Sequence, residues 1–391
     1  MFNSKNLKNK RVFLRADLNT KSTNGAIKND HRLQAILPTI DELLKRGAKI
    51  ILATHVDRPK KPTPELSTKN VLKWFEKRKY AIDFEPDFNK AHEKSLEKNN
   101  TILLLENMRF FPGEQSSDQK EQAKFCDQLA PLADLYVNDA FGLLHRNDTS
   151  ITDLPKKFDT QNRTLGLLVK KELLILGNLL SNAQKPFLCI FGGGKVSTKI
   201  PLMRNLISKV DAIALCPAIV FTFLKVHNKP VGKSLVDEHA LDDAQQIIKE
   251  AKKKNVSLLF PTDYLVSKNK IGNPLIVAQA DNFPHDAIGV SIGPETAQHY
   301  TTKIKEAKTI FYNGLSGFHD QPESLQEIAK LFKAMNESKG TTIIAGGDSV
   351  AIAQQLGFDK NISHLSTGGG SVMAYLSGKE LPGLVAFTQH T

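Results

Sequence analysis

A chain of 391 residues, 40% hydrophobic and 24% charged, has the length of two or three domains and enough apolar residues for sizeable cores, which excludes a disordered or fibrous protein. No apolar run approaches the roughly eighteen residues that span a membrane, and the polar, lysine-rich start MFNSKNLKNK leads into no signal-like hydrophobic stretch, so a soluble cytoplasmic protein is expected. The net charge of +12 admits nucleic acid, an acidic surface or small polyanions, but Lys and Arg are dispersed and no zinc finger, RNP-type strand or basic zipper accompanies them, so neither nucleic acid nor membrane is expected as a partner.

In chain order, short apolar runs alternate with longer amphipathic ones. RVFLRA (11–16) reads as a strand, and DHRLQAILPTIDELLKRG follows with a helical period that stops at Gly47, a residue suited to the left-handed turn after a helix. KIILAT, TILLLE and LYVNDA are the further strands of the first half. The stretch TLGLLVKKELLILGNLLSN (164–182) is amphipathic, and its place between two strand series makes it the expected inter-domain helix. PFLCIFG, DAIALC, SLLFPT, AIGVSIG, TIFYNG and TTIIAGG are the strands of the second half. Most of these runs are apolar on both faces, as strands buried in a parallel sheet should be. Lys252–Lys254 reads as a solvated helix face. Cys126, Cys189 and Cys216 are odd in number, far apart and form no CxxC pair, so buried reduced thiols are expected and not a disulfide framework or zinc site. Repeated βα units define an α/β class, with helices on both faces of two parallel sheets.

In such sheets ligands bind beyond the carboxyl ends of the strands, and the residues there differ between the halves. In the first half they are cationic or strongly polar: Asp17 and Asn19 with Arg32 after the first strand, Thr54, His55 and Arg58 after the second, Asn107 and Arg109 after the third, and Asn138, Asp139, His145 and Arg146 after the fourth. A lone arginine in such a place is usually a surface residue. Four in series, with two histidines, point to one basic bowl, since guanidiniums grip carboxylates and phosphates in bidentate fashion.

The second half is glycine-rich at the same positions. Gly192-Gly193-Gly194-Lys195 and Gly346-Gly347-Asp348-Ser349 each follow an apolar run, and Gly368-Gly369-Gly370, after Ser366-Thr367, precedes an expected helix. Bare glycine backbones approach phosphates closely and aim N–H groups at them, especially at helix N-termini. Lys195 and Lys199 add charge, and Asp348 is suited to a magnesium ion bridging phosphates. One such cluster is weak evidence, because a glycine triplet often only makes a turn. Three favour nucleotide binding, and the spacing fits neither GxxxxGK[ST] nor GxGxxG. A small anion in one half and nucleotide phosphates in the other suggest phosphoryl transfer. An ionised oxygen nucleophile needs no base, so positioning and charge neutralisation can carry the reaction.

NDHRLQAILPTIDELLKRGAKIIL, LLLENMRFFPGE, YVNDAFG, VGKSLV, GGDS, SHLSTGGG and GKELPG occur in the order found in the phosphoglycerate kinase family, which the chain resembles from about Lys10 to Gly383. The resemblance implies two Rossmann-like three-layer α/β/α domains joined by a helix and hinge. Residues 1–163 would hold 3-phosphoglycerate or 1,3-bisphosphoglycerate, completed by a returning tail at 372–391. Residues 164–371, with the linker helix 164–182, would hold ADP or ATP. Asp17, Asn19, Arg32, His55, Arg58, Arg109 and Arg146 would bind the glycerate substrate. Arg32, Lys195 and the Gly369 backbone would serve the transferring phosphoryl group. Gly193, Gly194, Lys199, Asn313, Asp320, Gly346, Gly347, Asp348 and Ser349 would bind the nucleotide, and Asp348 would carry Mg2+. Closure of the two domains and a monomeric state are further expectations.

The chain departs from the family pattern mainly in the nucleotide half. Thr198 stands where an acid is usual, Cys216-Pro217-Ala218-Ile219 replaces a glycine-rich stretch, Tyr312 replaces a tryptophan, Asp320 a glutamate and Ser291 an aspartate. In the other half Asp57 occupies a glycine position of the pattern HLGRP. Two functions stay open on the sequence: an active kinase, and a degenerate homologue that binds ligands without turnover and acts as a binding or regulatory protein. Arg32, Lys195, Lys199 and Asp348 all remain, which favours the first.

Overall fold

A computed structural model describes residues 7–20, 22–23, 26–27, 29–97 and 102–388. The chain divides into two compact units, Met1–Leu174 with Glu380–Thr391, and Ile175–Lys379.

The first unit is built on a six-stranded sheet. Its strands are β1 (Arg11–Ala16), β2 (Lys49–Ala53), β3 (Ile82–Glu85), β4 (Ile102–Leu105), β5 (Leu135–Asp139) and β6 (Arg163–Leu165). They are parallel throughout, in the order β3-β4-β2-β1-β5-β6. The both-faces apolar pattern has a direct cause in the packing. Val12, Leu14, Ile50, Leu52, Ile102 and Leu104 face helix α1 (His31–Lys45), while Phe13, Ile51, Leu103, Leu105 and Tyr136 pack with Phe125 and Leu129 on the other side. Gly47 ends α1 with a φ of +81°, as its place after the helical period implied.

The second unit has a six-stranded parallel sheet of β7 (Phe187–Gly193), β8 (Ala212–Ala218), β9 (Ser257–Leu259), β13 (Thr309–Asn313), β14 (Thr341–Ala345) and β15 (His364–Leu365), in the order β9-β8-β7-β13-β14-β15. Between β9 and β13 lie β10 (Asp263–Lys268), β11 (Leu275–Gln279) and β12 (Ala287–Ile292), which form a separate antiparallel sheet. AIGVSIG is therefore not a parallel strand of the main sheet, as its apolar composition suggested. The chain from β9 to β12 has no crossover helix, and without one it can only turn back antiparallel.

Short edge strands such as β3, β6 and β15 carry no long apolar run and have little signal in the sequence. Thr164 and Leu165, the start of the amphipathic stretch, belong to the edge strand Arg163–Leu165, and helix α2 (Leu167–Ser181) begins only after Gly166. Lys252–Lys254 is exposed at a helix end, and the three cysteines are buried and free.

The N-terminus of α2 explains one of the polar residues after β5. The Asp139 carboxylate accepts a hydrogen bond from Val169 N at 2.9 Å and a second, short one from the Thr39 hydroxyl of α1. Thr39 Oγ1 in turn accepts from Leu167 N at 3.1 Å. Asp139 thus satisfies orphan helix donors and ties α2 to α1. Burial outweighs these bonds and pushes its carboxyl up to about 6. A Cβ on Gly166 would stand 2.2 Å from Asp139 Cγ, so no side chain fits there without displacing the cap. Gly166→Ala is expected to lower stability by about 2–3 kcal/mol; an unchanged urea midpoint would show that the cap can yield.

Candidate active site

In the first unit, β1 leads to strands on either side, β2 and β5, so the strand order reverses beside β1; ligands in open α/β sheets bind at such a point. The polar residues after β1, β2, β4 and β5 gather there. Asp17 Oδ1 accepts from Asn19 N at 3.1 Å and from Arg32 Nη1 at 3.4 Å, and Arg32 also donates to the Asn19 carbonyl at 3.0 Å. Asn19 Oδ1 accepts from Asp57 N at 2.9 Å, and Arg109 donates to the Asp57 carbonyl at 2.6 Å. Arg109 and Arg146 share Asp148, at 3.1 and 3.4 Å.

His55 lies at the middle of this arrangement. It is buried, and Arg15, Arg109, Arg32 and Arg146 all act on it; burial first and these four charges second hold its imidazole well below the usual range. It is neutral at physiological pH, and its Nδ1 has no hydrogen-bond partner among the described residues. The Arg109 Nε is likewise unpartnered among them. Burial lowers Arg109 as well, while Asp148 opposes the shift. His145 is held below its ordinary range by burial and by Arg146. The structure thus brings together Asp17, Asn19, Arg32, His55, Arg109 and Arg146. Arg58 adjoins them in sequence and is exposed.

Three members of this site did not stand out in the sequence. Arg15 lies inside the apolar run of β1, fully buried, donating to Ser150 Oγ at 2.7 Å and to Glu114 Oε1 at 3.2 Å. Glu114 also accepts from Ser150 N and Oγ, and burial raises its carboxyl. Asp148 is the third; burial would raise its carboxyl, but Gln115, Arg109, Arg15 and Arg146 hold it below the ordinary value. The signal available was the arginine itself, since a guanidinium within a buried strand demands a carboxylate elsewhere in the fold.

In the second unit the order reverses between β7 and β13, and the glycine clusters meet there. Gly192 and Gly314 cross so closely that a Cβ on Gly314 would stand 2.1 Å from the Gly192 carbonyl oxygen. Gly193 and Gly346 take φ values of +77° and +104°, in the left-handed half where glycine alone is unstrained. Asn313 Nδ2 donates to the Ala345 carbonyl at 3.0 Å, which joins the ends of β13 and β14. Ser366 N bonds the Ile344 carbonyl and sets the third cluster beside β14.

Helix α3 (Val196–Leu206) follows Lys195, helix α4 (Gly347–Gln355) follows Gly346, and helix α5 (Gly369–Leu376) follows Gly368. A Cβ on Gly347 or Gly369 would meet nothing within 4 Å among the described residues, so both backbones are open to a ligand. Ser349 is buried in the first turn of α4, and its hydroxyl has no partner among the described residues. Asp348, Lys195 and Asp320 are exposed.

Lys199 is nearly buried on α3, with its Nζ 3.6 Å from where a Gly193 Cβ would be. Burial, and then repulsion from Lys195, lower its pKa to about 8. Thr198, in place of an acid, donates to the Lys195 carbonyl and leaves the two ammonium groups without a carboxylate on their own turn. Of the other departures, Cys216 lies near the end of β8 within a core cluster shared with Tyr300 and Tyr312, and Ser291 is buried in β12. These changes therefore lie behind the rim of strand ends, in packing.

Among the described residues no group of three or more His, Cys, Asp or Glu side chains is placed to hold a metal ion, and no helix is long and apolar enough to cross a membrane. A groove of about 640 Å3 lined by Phe84, Phe110, Phe111 and Pro64 lies in the first unit and contains none of the bowl arginines.

An arginine-rich bowl at the strand ends of one parallel-sheet unit and a glycine rim with two lysines in the other are the features of a phosphotransferase of the two-unit α/β class. The comparisons agree. A family model described as phosphoglycerate kinase matches residues 2–379. The phosphoglycerate kinase of Dictyoglomus turgidum is 39% identical over 384 residues, covering 97% of this chain and 95% of the relative. That of Clostridium botulinum strain Alaska E43 is 38% identical over 387 residues, covering 97% and 96%. The solved phosphoglycerate kinase structure from Coxiella burnetii has a TM-score of 0.83 at 33% identity, covering 98% of this chain and 97% of that one. The structure from Pyrococcus horikoshii has 0.85 at 27%, covering 99% and 98%. The chain belongs to the phosphoglycerate kinase family.

The depressed Lys199 has a measurable consequence. Its charged form predominates below about pH 8 and is lost above it. A charge-assisted bond to phosphate stabilises by roughly 1.5–3 kcal/mol, so with Lys199 on a nucleotide phosphate, as the family resemblance implies, affinity for ADP is expected to fall about tenfold between pH 7.5 and 9.5. The same titration with Lys199→Met should be nearly flat across that range; parallel slopes in calorimetry would remove Lys199 from the phosphate site.

Proposed function

We propose that this protein is an active phosphoglycerate kinase, catalysing reversible phosphoryl transfer from 1,3-bisphosphoglycerate to ADP to give 3-phosphoglycerate and ATP. The observation that carries the reading is the basic bowl at the reversal of the first sheet, where carboxylates already orient the arginines around an uncharged imidazole. In this reading Asp17, Asn19, Arg32, His55, Arg58, Arg109 and Arg146 bind the glycerate anion. The partly exposed guanidiniums of Arg32 and Arg146 suit carboxylate and phosphate oxygens. Gly193, Gly194, Lys199, Asn313, Gly346, Gly347 and Ser349 bind the nucleotide, with Asp320 toward its ribose.

The nucleophile is a phosphate or carboxylate oxygen that is already ionised, so no residue has to remove a proton. What remains for the chain is to hold both ends in line and to neutralise charge on the transferring group. Arg32 is suited to this because Asp17 and the Asn19 carbonyl fix its guanidinium while the side chain stays partly open to solvent. Lys195 and the N–H groups at Gly369 supply the other donors, at the starts of α3 and α5.

Magnesium would be held by Asp348 together with nucleotide phosphates. A single exposed carboxylate suits that ion, which keeps most of its ligands as water and phosphate oxygens. It would supply neutralisation of phosphate charge. The enzyme is read as a cytoplasmic monomer whose partners are these small molecules.

A coupled assay of ATP formation from 1,3-bisphosphoglycerate and ADP tests the activity; no turnover by the folded wild type would leave the binding-protein alternative. Arg32→Ala should lower kcat by about 10²- to 10³-fold while the Kd for ADP stays within twofold. Equal loss of both would contradict the assignment of Arg32 to the transferring group.

A further inference from the structure

Asp57 stands in the left-handed region of the backbone, where glycine is the residue least strained. Its φ is +52°, in the left-handed region where a Cβ is strained and where only Asn and Asp are tolerated with any ease. Strain of this kind persists where the surroundings impose it, and it points to a role. Here the surroundings are the anion site itself. The main chain of Asp57 is held on both sides by bowl residues, its N–H by Asn19 Oδ1 at 2.9 Å and its carbonyl by Arg109 Nη1 at 2.6 Å. Arg58 follows it directly and His55 precedes it by two residues. Because the Asp57 carbonyl is bonded to Arg109 Nη1, chain geometry keeps the carboxylate within roughly 9 Å of that guanidinium in any rotamer.

The bowl's charges are closely balanced. Arg15, Arg32, Arg109 and Arg146 are matched by Glu114, Asp17 and the shared Asp148. With Arg58 counted and both histidines held toward the neutral form, these groups leave a surplus of two positive charges, and Asp57 reduces it to one. A fixed negative charge on the rim of such a site repels every anion that enters.

We infer that Asp57 tunes the charge of the anion site, weakening its hold on phosphate-bearing ligands and so favouring their release. It is a specificity-setting residue that acts through the field of the bowl and touches no reacting atom. The inference rests on the proposed reading of the bowl as the glycerate site and deepens it.

Asp57→Asn removes the charge and keeps a residue suited to the left-handed backbone, and Asp57→Gly removes the strain as well. Calorimetric titration with 3-phosphoglycerate, and separately with inorganic phosphate, should show both variants binding roughly three- to tenfold more tightly than wild type at low salt. The gain should shrink at 0.5 M salt, where fields of this range are screened. In steady-state assays KM for the glycerate ligand should fall by a similar factor, with kcat unchanged or lower. Unchanged or weaker binding by Asp57→Asn overturns the inference, as does tightening by the glycine variant alone, which would assign the effect to strain. If wild type and variants bind neither anion, the inference also falls. Tighter anion binding by the variants of a wild type without turnover would instead overturn the kinase reading and leave the role of Asp57 standing.

Discussion

The first unit depends on one electrostatic constraint: several guanidiniums must stay close together, out of water, around an imidazole that none of them can protonate. Like charges in a desolvated site repel strongly, and unpaired they would expel one another or open the fold. The chain meets this by burying carboxylates with them. Glu114 holds Arg15 beneath the site, Asp17 holds Arg32 at its edge, and Asp148 holds Arg109 and Arg146 together. Each carboxylate satisfies only part of its arginine's donors. The fork is fixed in direction, and Arg32 and Arg146 stay partly exposed, so in the proposed reading an anion meets donors that need little rearrangement to receive it.

The second unit meets the same demand with backbone. A phosphate chain can be gripped by side-chain cations, which are costly to bury, or by N–H groups, which carry no net charge. At the reversal of the second sheet, Gly192 and Gly314 lie in contact, and Gly193 and Gly346 turn through positive φ. No side chain stands between a ligand and the amides that open α4 and α5. The cations are then few, and Lys199 shows why: burial and a single neighbouring lysine already weaken its proton. More lysines in that place would neutralise one another.

Most of the fold was legible because buried parallel strands are apolar on both faces, and RVFLRA, KIILAT, TILLLE and PFLCIFG announce themselves. In the two parallel sheets, what escaped follows from the same rule. β3, β6 and β15 lie at sheet edges, where one or both faces are open and the apolar signal weakens. AIGVSIG was apolar enough for the main sheet, and only the missing crossover helix shows that it belongs elsewhere. In the site, residues just after strands were readable by position. Arg15, Glu114 and Asp148 were not, because their importance lies in pairings across 99 residues, for Arg15 with Glu114, and across 39, for Arg109 with Asp148. Nothing in local spacing encodes a partner that distant. Asp139 was readable as a strand-end carboxylate, but only the contact with Thr39 and Val169 shows that it serves a helix.

That last case bears on how the chemistry is divided. A carboxyl raised to about 6 resembles a general base. Asp139 nevertheless has both oxygens engaged by Val169 N and the Thr39 hydroxyl, so its altered acidity is the cost of a buried cap. His55 has the opposite standing: its Nδ1 has no partner among the described residues, but burial first and four guanidiniums second keep a proton off the ring, so it can take part in a hydrogen bond yet not cycle a charge. Asp148 is held in the ionised form by the arginines it orients. His55 and Asp148 are thus each held in one protonation state near neutral pH by the same interactions that build the bowl. Such a site is unsuited to chemistry that shuttles protons and suited to chemistry that moves a group between oxygens already ionised. The arrangement that keeps the arginines together also selects the kind of reaction they can serve.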